Sequence, residues 1–336
     1  MFTPPTSERS DVSQSAASGR KRILSNPLID LILLALRPRN VSTDSATVRW
    51  IRQHPIIAVV GLAYALTWIG LIPLILDPSL VAHADFSHAN DPAVLVYAFL
   101  GVLGCLWAAV IVAGAVGGAA GRYNLLRGYL KWKVGFGWYL VVLLSPAIIF
   151  AAAIALDLLL TGRLPVVPAF GLLPSALISG YIFFTARFMI GNWEEICWRA
   201  TVLPRLQAKY TALISSLIVG VIQGLWHLPF VFVRGHYVQS IGLPAIVLQS
   251  MAMSIVATWI FNNTRGSLLM AALFHASFDA LSQFQGSDVQ LFYLSIGGWC
   301  LAAIIILIIF GTQHLSRKPD SETAYAIIPL EKEPLP

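Results

Sequence analysis

The chain has 336 residues, of which 57% are hydrophobic and only 11% are charged, and its mean hydropathy is +0.75. A soluble domain of this length does not need so much apolar surface, so the composition excludes a water-soluble enzyme and favours an all-α bundle of membrane-spanning helices. The net charge of +6 comes mostly from basic residues before the first apolar stretch, in alternate loops and in the tail, a distribution that membrane topology explains, so nucleic acid is not an expected partner.

Apolar stretches of about 20 residues, the length that crosses a bilayer, follow one another along the chain. Before them, the apolar run Leu28–Leu36 is too short to span and indicates an interfacial helix. We interpret residues 166–179 as a re-entrant or surface piece that precedes a span near 181–204. With that span, the sequence predicts a polytopic bundle of about eight transmembrane helices. The other predicted spans lie near 55–77, 94–119, 135–158, 211–233, 243–261, 266–284 and 291–311.

The sequence divides into four regions on this basis. They are a polar, basic and disordered N-terminal segment with the interfacial helix, a first group of transmembrane helices, a core that carries the polar motifs, and a last span with a polar tail. Their boundaries are 1–50, 51–180, 181–285 and 286–336.

Basic residues alternate between successive loops. Loops 121–133 and 205–210 carry Lys and Arg, whereas loops 78–93 and 284–290 carry none. Because cytoplasmic loops are enriched in basic residues, we expect the first two loops inside and the other two outside. The expected location is the cell membrane, crossed several times, with both termini cytoplasmic and the lipid bilayer as a partner.

The first polar motif contains two adjacent acids, Glu194 and Glu195, followed by Arg199, within an apolar region. Ionisable residues at membrane depth are costly and mark functional sites by default. Glu195 and Arg199 have the i,i+4 spacing of an ion pair, which predicts a supporting structural role. Glu194 lies about 100° further round the helix without that partner, and it is the candidate general base.

Two further motifs place His227 and His275 inside predicted spans, whereas the other histidines, His236 among them, fall in loops or tails. Counting helical rise from the basic loops puts Glu194 and both histidines about 15–20 Å deep, which predicts a shared site. Asp279 lies one turn after His275 and Gln223 one turn before His227, so each can orient the neighbouring ring.

Together these motifs resemble those of the CAAX-protease and bacteriocin-processing family of intramembrane glutamate endopeptidases. Its pattern is Glu-Glu-x-x-x-Arg, then Phe-x-x-x-His, then His-x-x-x-Asn. The first motif is intact here, but Gln223 replaces the aromatic residue of the second and Asp279 replaces the Asn of the third. Further strings that resemble bacterial members are Trp198–Leu206, Gly224–Pro229, Asn263–Ser267 and Leu273–Phe278.

The resemblance implies an endopeptidase that needs no metal or cofactor and acts on a peptide or membrane-protein substrate. Glu194 and His227 would activate water, and His275 with the residue at position 279 would stabilise the oxyanion. An ionised Asp279 cannot donate a hydrogen bond, so it would act either as a protonated donor or by orienting His275. Glu195, Arg199 and Gln223 would support this group.

Two other functions fit the same residues. A zinc-dependent membrane hydrolase would use His, His and Glu as ligands, although three separate helices would each supply one ligand. A non-catalytic scaffold, immunity or transport protein would keep the polar cluster for folding or ion passage.

Overall fold

In a computed structural model, the structure describes residues 45–77, 92–162, 193–285 and 288–317, together with a few positions between 180 and 188. Throughout these residues the regular structure is helical. The helices are α1 (Ala46–Gln53), α2 (Pro55–Leu76), α3 (Pro92–Val96), α4 (Gly104–Arg127), α5 (Phe136–Thr161), α6 (Glu194–Cys197), α7 (Leu203–Gln207), α8 (Ala212–Trp226), α9 (Tyr237–Ile241), α10 (Leu243–Asn263), α11 (Leu268–Gln285) and α12 (Val289–Phe310). Shorter turns link them: π-helical Tyr97–Val102 and Trp198–Val202, and 3₁₀-helical Gly128–Leu130 and Leu228–Phe232.

Among the described helices, six are long and apolar enough to cross a membrane, namely α2, α4, α5, α8, α10 and α12. This confirms the all-α, polytopic membrane architecture. Helix α11 is apolar over Leu268–Ser282 but shorter. Of the span predicted near 181–204, the part from residue 193 onward is described continuously, as α6, a π turn and α7. The pieces near 28–36 and 166–179 lie outside the described residues, so the count of eight stays a prediction.

Helices α8 and α10 pack closely because α8 presents glycines one turn apart. A Cβ atom added to Gly220 would lie 2.5 Å from the Met251 Cα, and one added to Gly224 would lie 2.7 Å from the Val247 Cα. Small residues at this spacing let two membrane helices approach backbone to backbone. The contact fixes the register of the two helices, so Gln249 faces the same space as the end of α8.

The loops that carry most basic residues meet at one end of the bundle. The Lys131 Nζ donates to the Arg265 carbonyl at 2.8 Å. After α12 the chain folds back, so that the Asn262 side chain donates to the His314 carbonyl at 2.8 Å. The Ala212 amide, at the start of α8, donates to the Gln313 carbonyl at 2.8 Å. These contacts bring the ends of six helices together: α4, α5, α8, α10, α11 and α12.

Candidate active site

All seven site residues predicted from the sequence line one cavity of about 490 Å³. Its walls come from both π turns, from the connection between α8 and α9, and from helices α6 and α8 to α12. The predicted residues are Glu194, Glu195, Arg199, Gln223, His227, His275 and Asp279. Similar depth along three helices was a necessary condition for a shared site, and the structure adds that the helices are neighbours.

A π turn at Trp198–Val202 places Arg199, and the local sequence explains the turn. Pro204 lacks an amide hydrogen and its ring crowds the preceding turn, so the regular hydrogen bond to residue 200 cannot form. One turn earlier, the Thr201 hydroxyl donates to the Ile196 carbonyl at 2.9 Å. Widened turns of this kind are frequent at functional sites.

Glu195 is buried between a guanidinium and an imidazole. Its Oε2 lies 3.2 Å from the Arg199 Nε, which is the ion pair predicted from the i,i+4 spacing. This contact lacks hydrogen-bond geometry, so it is a charge–charge contact. The other oxygen, Oε1, accepts from the His275 Nδ1 at 2.8 Å. Glu195 therefore fixes two groups of the cavity at once.

The sequence predicted that Asp279 could orient the His275 ring, but in the structure another residue does so. The Nε2 of His275 lies 3.7 Å from the Asp279 Oδ1, a distance suited to charge attraction but too long for a hydrogen bond. The orienting hydrogen bond comes from Glu195, because α6 packs against α11 and brings its carboxylate to the Nδ1 side of the ring. Asp279 lies one turn along α11, on the Nε2 side.

Glu194 is held more loosely than its neighbour. Its Oε2 accepts from the Gln223 Nε2 at 3.4 Å and from the Trp198 Nε1 at 3.5 Å, both longer than ordinary hydrogen bonds. The Oε1 of Gln223 accepts from the Arg199 Nη1 at 2.8 Å. The Gln223 side chain thus bridges Arg199 and Glu194, whereas the sequence predicted that it would orient His227.

His227 is oriented by backbone. Its Nδ1 donates to the Gln223 carbonyl at 2.9 Å, because a carbonyl oxygen can only accept. In the neutral ring this leaves Nε2 without a proton and able to accept one. The position follows from the local sequence: α8 ends at Trp226, and Pro229 prevents a regular α-helical continuation.

The sequence analysis did not single out His236 and Gln249, two polar residues that line the cavity. His236 lies in a loop, as predicted, but its ring stacks on Phe230 at 4.5 Å and faces the cavity. Burial, with a smaller contribution from the nearby His227 ring, lowers the pKa of His236 to about 4. No local pattern distinguishes such a loop histidine from one in solvent.

Gln249 is the second missed residue, and the sequence did contain a signal for it. The side chain is only 6% exposed, and its Nε2 has no hydrogen-bond partner within the described part of the chain. A glutamine in the middle of an otherwise apolar span is a reason to expect a functional contact.

Across the described residues, no group of three His, Cys, Asp or Glu side chains is placed to hold a metal ion. Of the two adjacent glutamates, Glu195 is already engaged by Arg199 and His275. No observation in the described part of the chain therefore favours the zinc alternative.

A helical membrane bundle with buried carboxylates, imidazoles and a guanidinium around one cavity defines a multi-pass membrane protein with a polar intramembrane site. Residues 174–281 match the family model described as type II CAAX prenyl endopeptidase, Rce1-like. This region, about a third of the chain, is therefore similar to that family, and it contains the motifs that indicated the resemblance.

A curated relative shows the same similarity. The chain is 29% identical over 149 residues to a CAAX prenyl protease 2 of Methanococcus maripaludis, a match that covers 40% of this chain. The match spans about half the length of that relative, 51% of it.

Proposed function

We propose that the protein is an intramembrane endopeptidase that hydrolyses a peptide bond of a membrane-associated substrate. The observation that carries this proposal is the convergence of Glu194, His227, His275 and Asp279 on one cavity. Hydrolysis of an amide requires a base that activates water and polar groups that stabilise the oxyanion. The carboxylate and an imidazole with a free acceptor nitrogen suit the first task, and the second pair of polar groups suits the other.

In the proposed reaction, water lies between Glu194 and the Nε2 of His227. Glu194 takes a proton from this water, and the water oxygen adds to the carbonyl carbon of the scissile bond. The proton then passes to the nitrogen of the leaving amine as the carbon–nitrogen bond breaks. His227 orients the water, because its own orientation is fixed by the hydrogen bond of Nδ1 to the Gln223 carbonyl.

His275 and Asp279 stabilise the oxyanion in this scheme. Since the Nδ1 of His275 faces Glu195, Nε2 is the ring nitrogen that can donate to the oxyanion. It does so when the ring carries both protons, and the carboxylate of Glu195 offsets the resulting charge. Asp279 donates to the oxyanion in its protonated form. Donors arranged in advance around a developing negative charge usually contribute most to catalysis of this kind.

The other three residues support the reacting groups. Glu195 positions His275, Arg199 neutralises Glu195, and Gln223 connects Arg199 to Glu194. This division of roles keeps Glu194 as the one carboxylate of the adjacent pair that is available to water.

Cleavage by the detergent-purified protein tests the proposal. The probes are two quenched fluorescent peptides that end in a CAAX sequence, one farnesylated and one not, chosen from the name of the curated relative. Glu194→Gln should lower the rate by about 100-fold or more, as expected for loss of a general base. A rate equal to that of the wild type would overturn the proposed role.

Asp157→Asn provides the matched control. Asp157 is another buried carboxylate of a membrane helix, and it does not line the cavity. We expect this variant to retain the wild-type rate per folded molecule. An equal loss per folded molecule would show that a carboxylate outside the cavity matters as much as Glu194 and would remove the evidence for a catalytic glutamate.

A further inference from the structure

We infer that Gln249 is a substrate-binding residue, whose side-chain amide pairs with a backbone peptide group of the substrate near the scissile bond. The inference rests on the proposed endopeptidase function and adds to it a residue that holds the bound chain in register. The ligand is defined by the chemistry of a peptide group, which offers one N–H donor and one carbonyl acceptor whatever side chains the substrate carries.

The Gln249 amide is a polar group whose hydrogen bonding the fold leaves incomplete. The residue lies on α10, is only 6% exposed and lines the cavity. Its Nε2 has no hydrogen-bond partner within the described part of the chain. Buried polar side chains normally have partners, and one that lacks them requires a specific explanation. The position of Gln249 in the cavity wall makes a bound ligand that explanation.

The contact between α8 and α10 fixes the height of Gln249 in the cavity. Successive contacts along α8, at Gly220 and Gly224, meet Met251 and then Val247 on α10, so the two helices run antiparallel. Gln249 lies midway between the two contacts on α10. It is therefore level with the midpoint between the two glycines on α8.

This height is also that of the proposed reacting groups. Gln223 lies one residue past the midpoint between the glycines, which is about 1.5 Å of helical rise. Its side chain donates to the Glu194 carboxylate, and its carbonyl orients His227. An extended chain advances by about 3.3–3.6 Å per residue, so a substrate cleaved at Glu194 places other peptide groups close to the level of Gln249.

The surroundings of Gln249 favour a neutral partner. Helix α10 has no Asp, Glu, Lys or Arg, and the carboxylates and the guanidinium that line the cavity lie on α6, the π turn after it and α11. The other residues that α10 contributes to the cavity are Ile246, Ser250, Met253 and Ala257. A charged group at this wall would lose hydration without facing an opposite charge on α10. A peptide group is neutral and needs a partner when it leaves water, so it matches an amide.

The amide can serve either atom of a peptide group. Its Nε2 donates to a carbonyl, and its Oε1 accepts from an N–H. The last torsion of a glutamine side chain is broad and roughly two-fold, so the amide can present either atom without a shift of the helix. Since the contact forms with the intact substrate and persists during the reaction, its loss should raise KM and leave kcat unchanged.

A backbone scan of the substrate tests the inference without any variant of the protein. The probe is the quenched CAAX peptide that the wild-type protein cleaves, made as a series in which one peptide bond other than the scissile one is replaced by an ester. An ester lacks the N–H and accepts a hydrogen bond more weakly. We expect one ester position to raise KM by about fivefold, the value of one hydrogen bond. A series in which every ester leaves KM unchanged overturns the inference.

The same series with Gln249→Met assigns the effect to this residue. The peptide with all its amides should bind with a KM raised by about fivefold, and the critical ester should cause no further rise, because its partner is already absent. Ser254→Ala, on the same helix but outside the cavity lining, should keep both the wild-type KM and the wild-type response to the ester. An equal ester effect in Gln249→Met and in the wild-type protein overturns the inference.

Binding to Glu194→Gln separates this inference from the proposed reaction. Fluorescence anisotropy of the CAAX peptides measures Kd without cleavage, and adding Gln249→Met should raise Kd by about fivefold. That rise, found together with no cleavage by the wild-type protein, would overturn the endopeptidase proposal alone. An unchanged Kd with normal cleavage by the wild-type protein would overturn this inference alone. Absence of both binding and cleavage would overturn both.

Discussion

The two halves of the site are built from adjacent glutamates but are held very differently. In the closed half, Glu195, Arg199 and His275 make contacts of 2.8 and 3.2 Å. In the open half, Glu194 receives contacts of 3.4 and 3.5 Å, from Gln223 and Trp198. The carboxylate at position 195 is therefore held by short contacts, whereas the carboxylate at position 194 is held only by long ones.

The difference shows how a helix can separate two roles within one turn. The closed half fixes geometry, because every charge in it faces an opposite charge or a hydrogen-bond partner in a region of low dielectric constant. The open half leaves a carboxylate within reach of the cavity, where water and substrate can compete for it. The Gln223 side chain contacts both halves.

Removal of the guanidinium from the closed half should have the largest effect on stability. Arg199→Ala leaves Glu195 buried without its counter-charge, and breaking a buried ion pair in this way costs about 3–5 kcal/mol. We expect a lower yield of folded protein, a lower melting temperature and loss of activity. Thermal unfolding in detergent measures the effect.

Arg205→Ala is the matched control for that variant. Arg205 lies on the same segment and donates to the Thr201 carbonyl at 2.7 Å, but it is at the basic end and does not line the cavity. A melting temperature of Arg199→Ala equal to that of Arg205→Ala would contradict the role of the closed half.

Gln223→Met should remove the connection between the two halves and should lower stability less than Arg199→Ala does. It removes the acceptor of Arg199 and the donor to Glu194, and an unsatisfied buried partner costs about 1–3 kcal/mol. Because the backbone carbonyl that orients His227 remains, we expect kcat to fall by about tenfold with little change in KM. A variant with unchanged kcat would show that Gln223 does not position Glu194.

Gln249→Met should affect binding and stability in opposite directions. The Gln249 amide is buried, and its Nε2 has no partner in the described residues. Methionine has a similar shape and is apolar, so the substitution removes a polar group that folding leaves unsatisfied. We expect an equal or higher melting temperature. If the amide binds a peptide group of the substrate, KM should rise by about fivefold, the value of one hydrogen bond.

The control for Gln249→Met is Ser254→Ala on the same helix. Ser254 is buried, its hydroxyl has no partner in the described residues, and it does not line the cavity. Its KM should stay at the wild-type value. A lower melting temperature of Gln249→Met together with an unchanged KM would assign Gln249 a structural role only.

Asp279→Asn should have the smallest effect. It tests whether Asp279, on the Nε2 side of His275, acts as a hydrogen-bond donor or through its charge. An amide donates a hydrogen bond at every pH, whereas an ionised carboxylate cannot. If Asp279 acts as a donor, the variant keeps or raises the rate and loses any decline on the alkaline side. A pH–rate profile of both proteins decides, since a large fall at all pH values would mean that the charge of Asp279 orients His275.

The sequence by itself determined the membrane class, the polar motifs and the pairing of Glu195 with Arg199. These features depend on local rules: apolar length sets a span, and helical twist places residues four apart on one face. Similar depth of Glu194, His227 and His275 also followed from helical rise alone.

Only the tertiary structure decided which neighbour each polar group has. The hydrogen bond from His275 to Glu195, the bridge made by the Gln223 side chain and the return of His236 to the cavity all join different elements. Their geometry depends on how the helices are rotated against one another. The close contact at Gly220 and Gly224 fixes one such rotation, and the π turn before Pro204 fixes another. Helix rotation is a property of packing between surfaces, so the spacing of residues along one helix does not determine it.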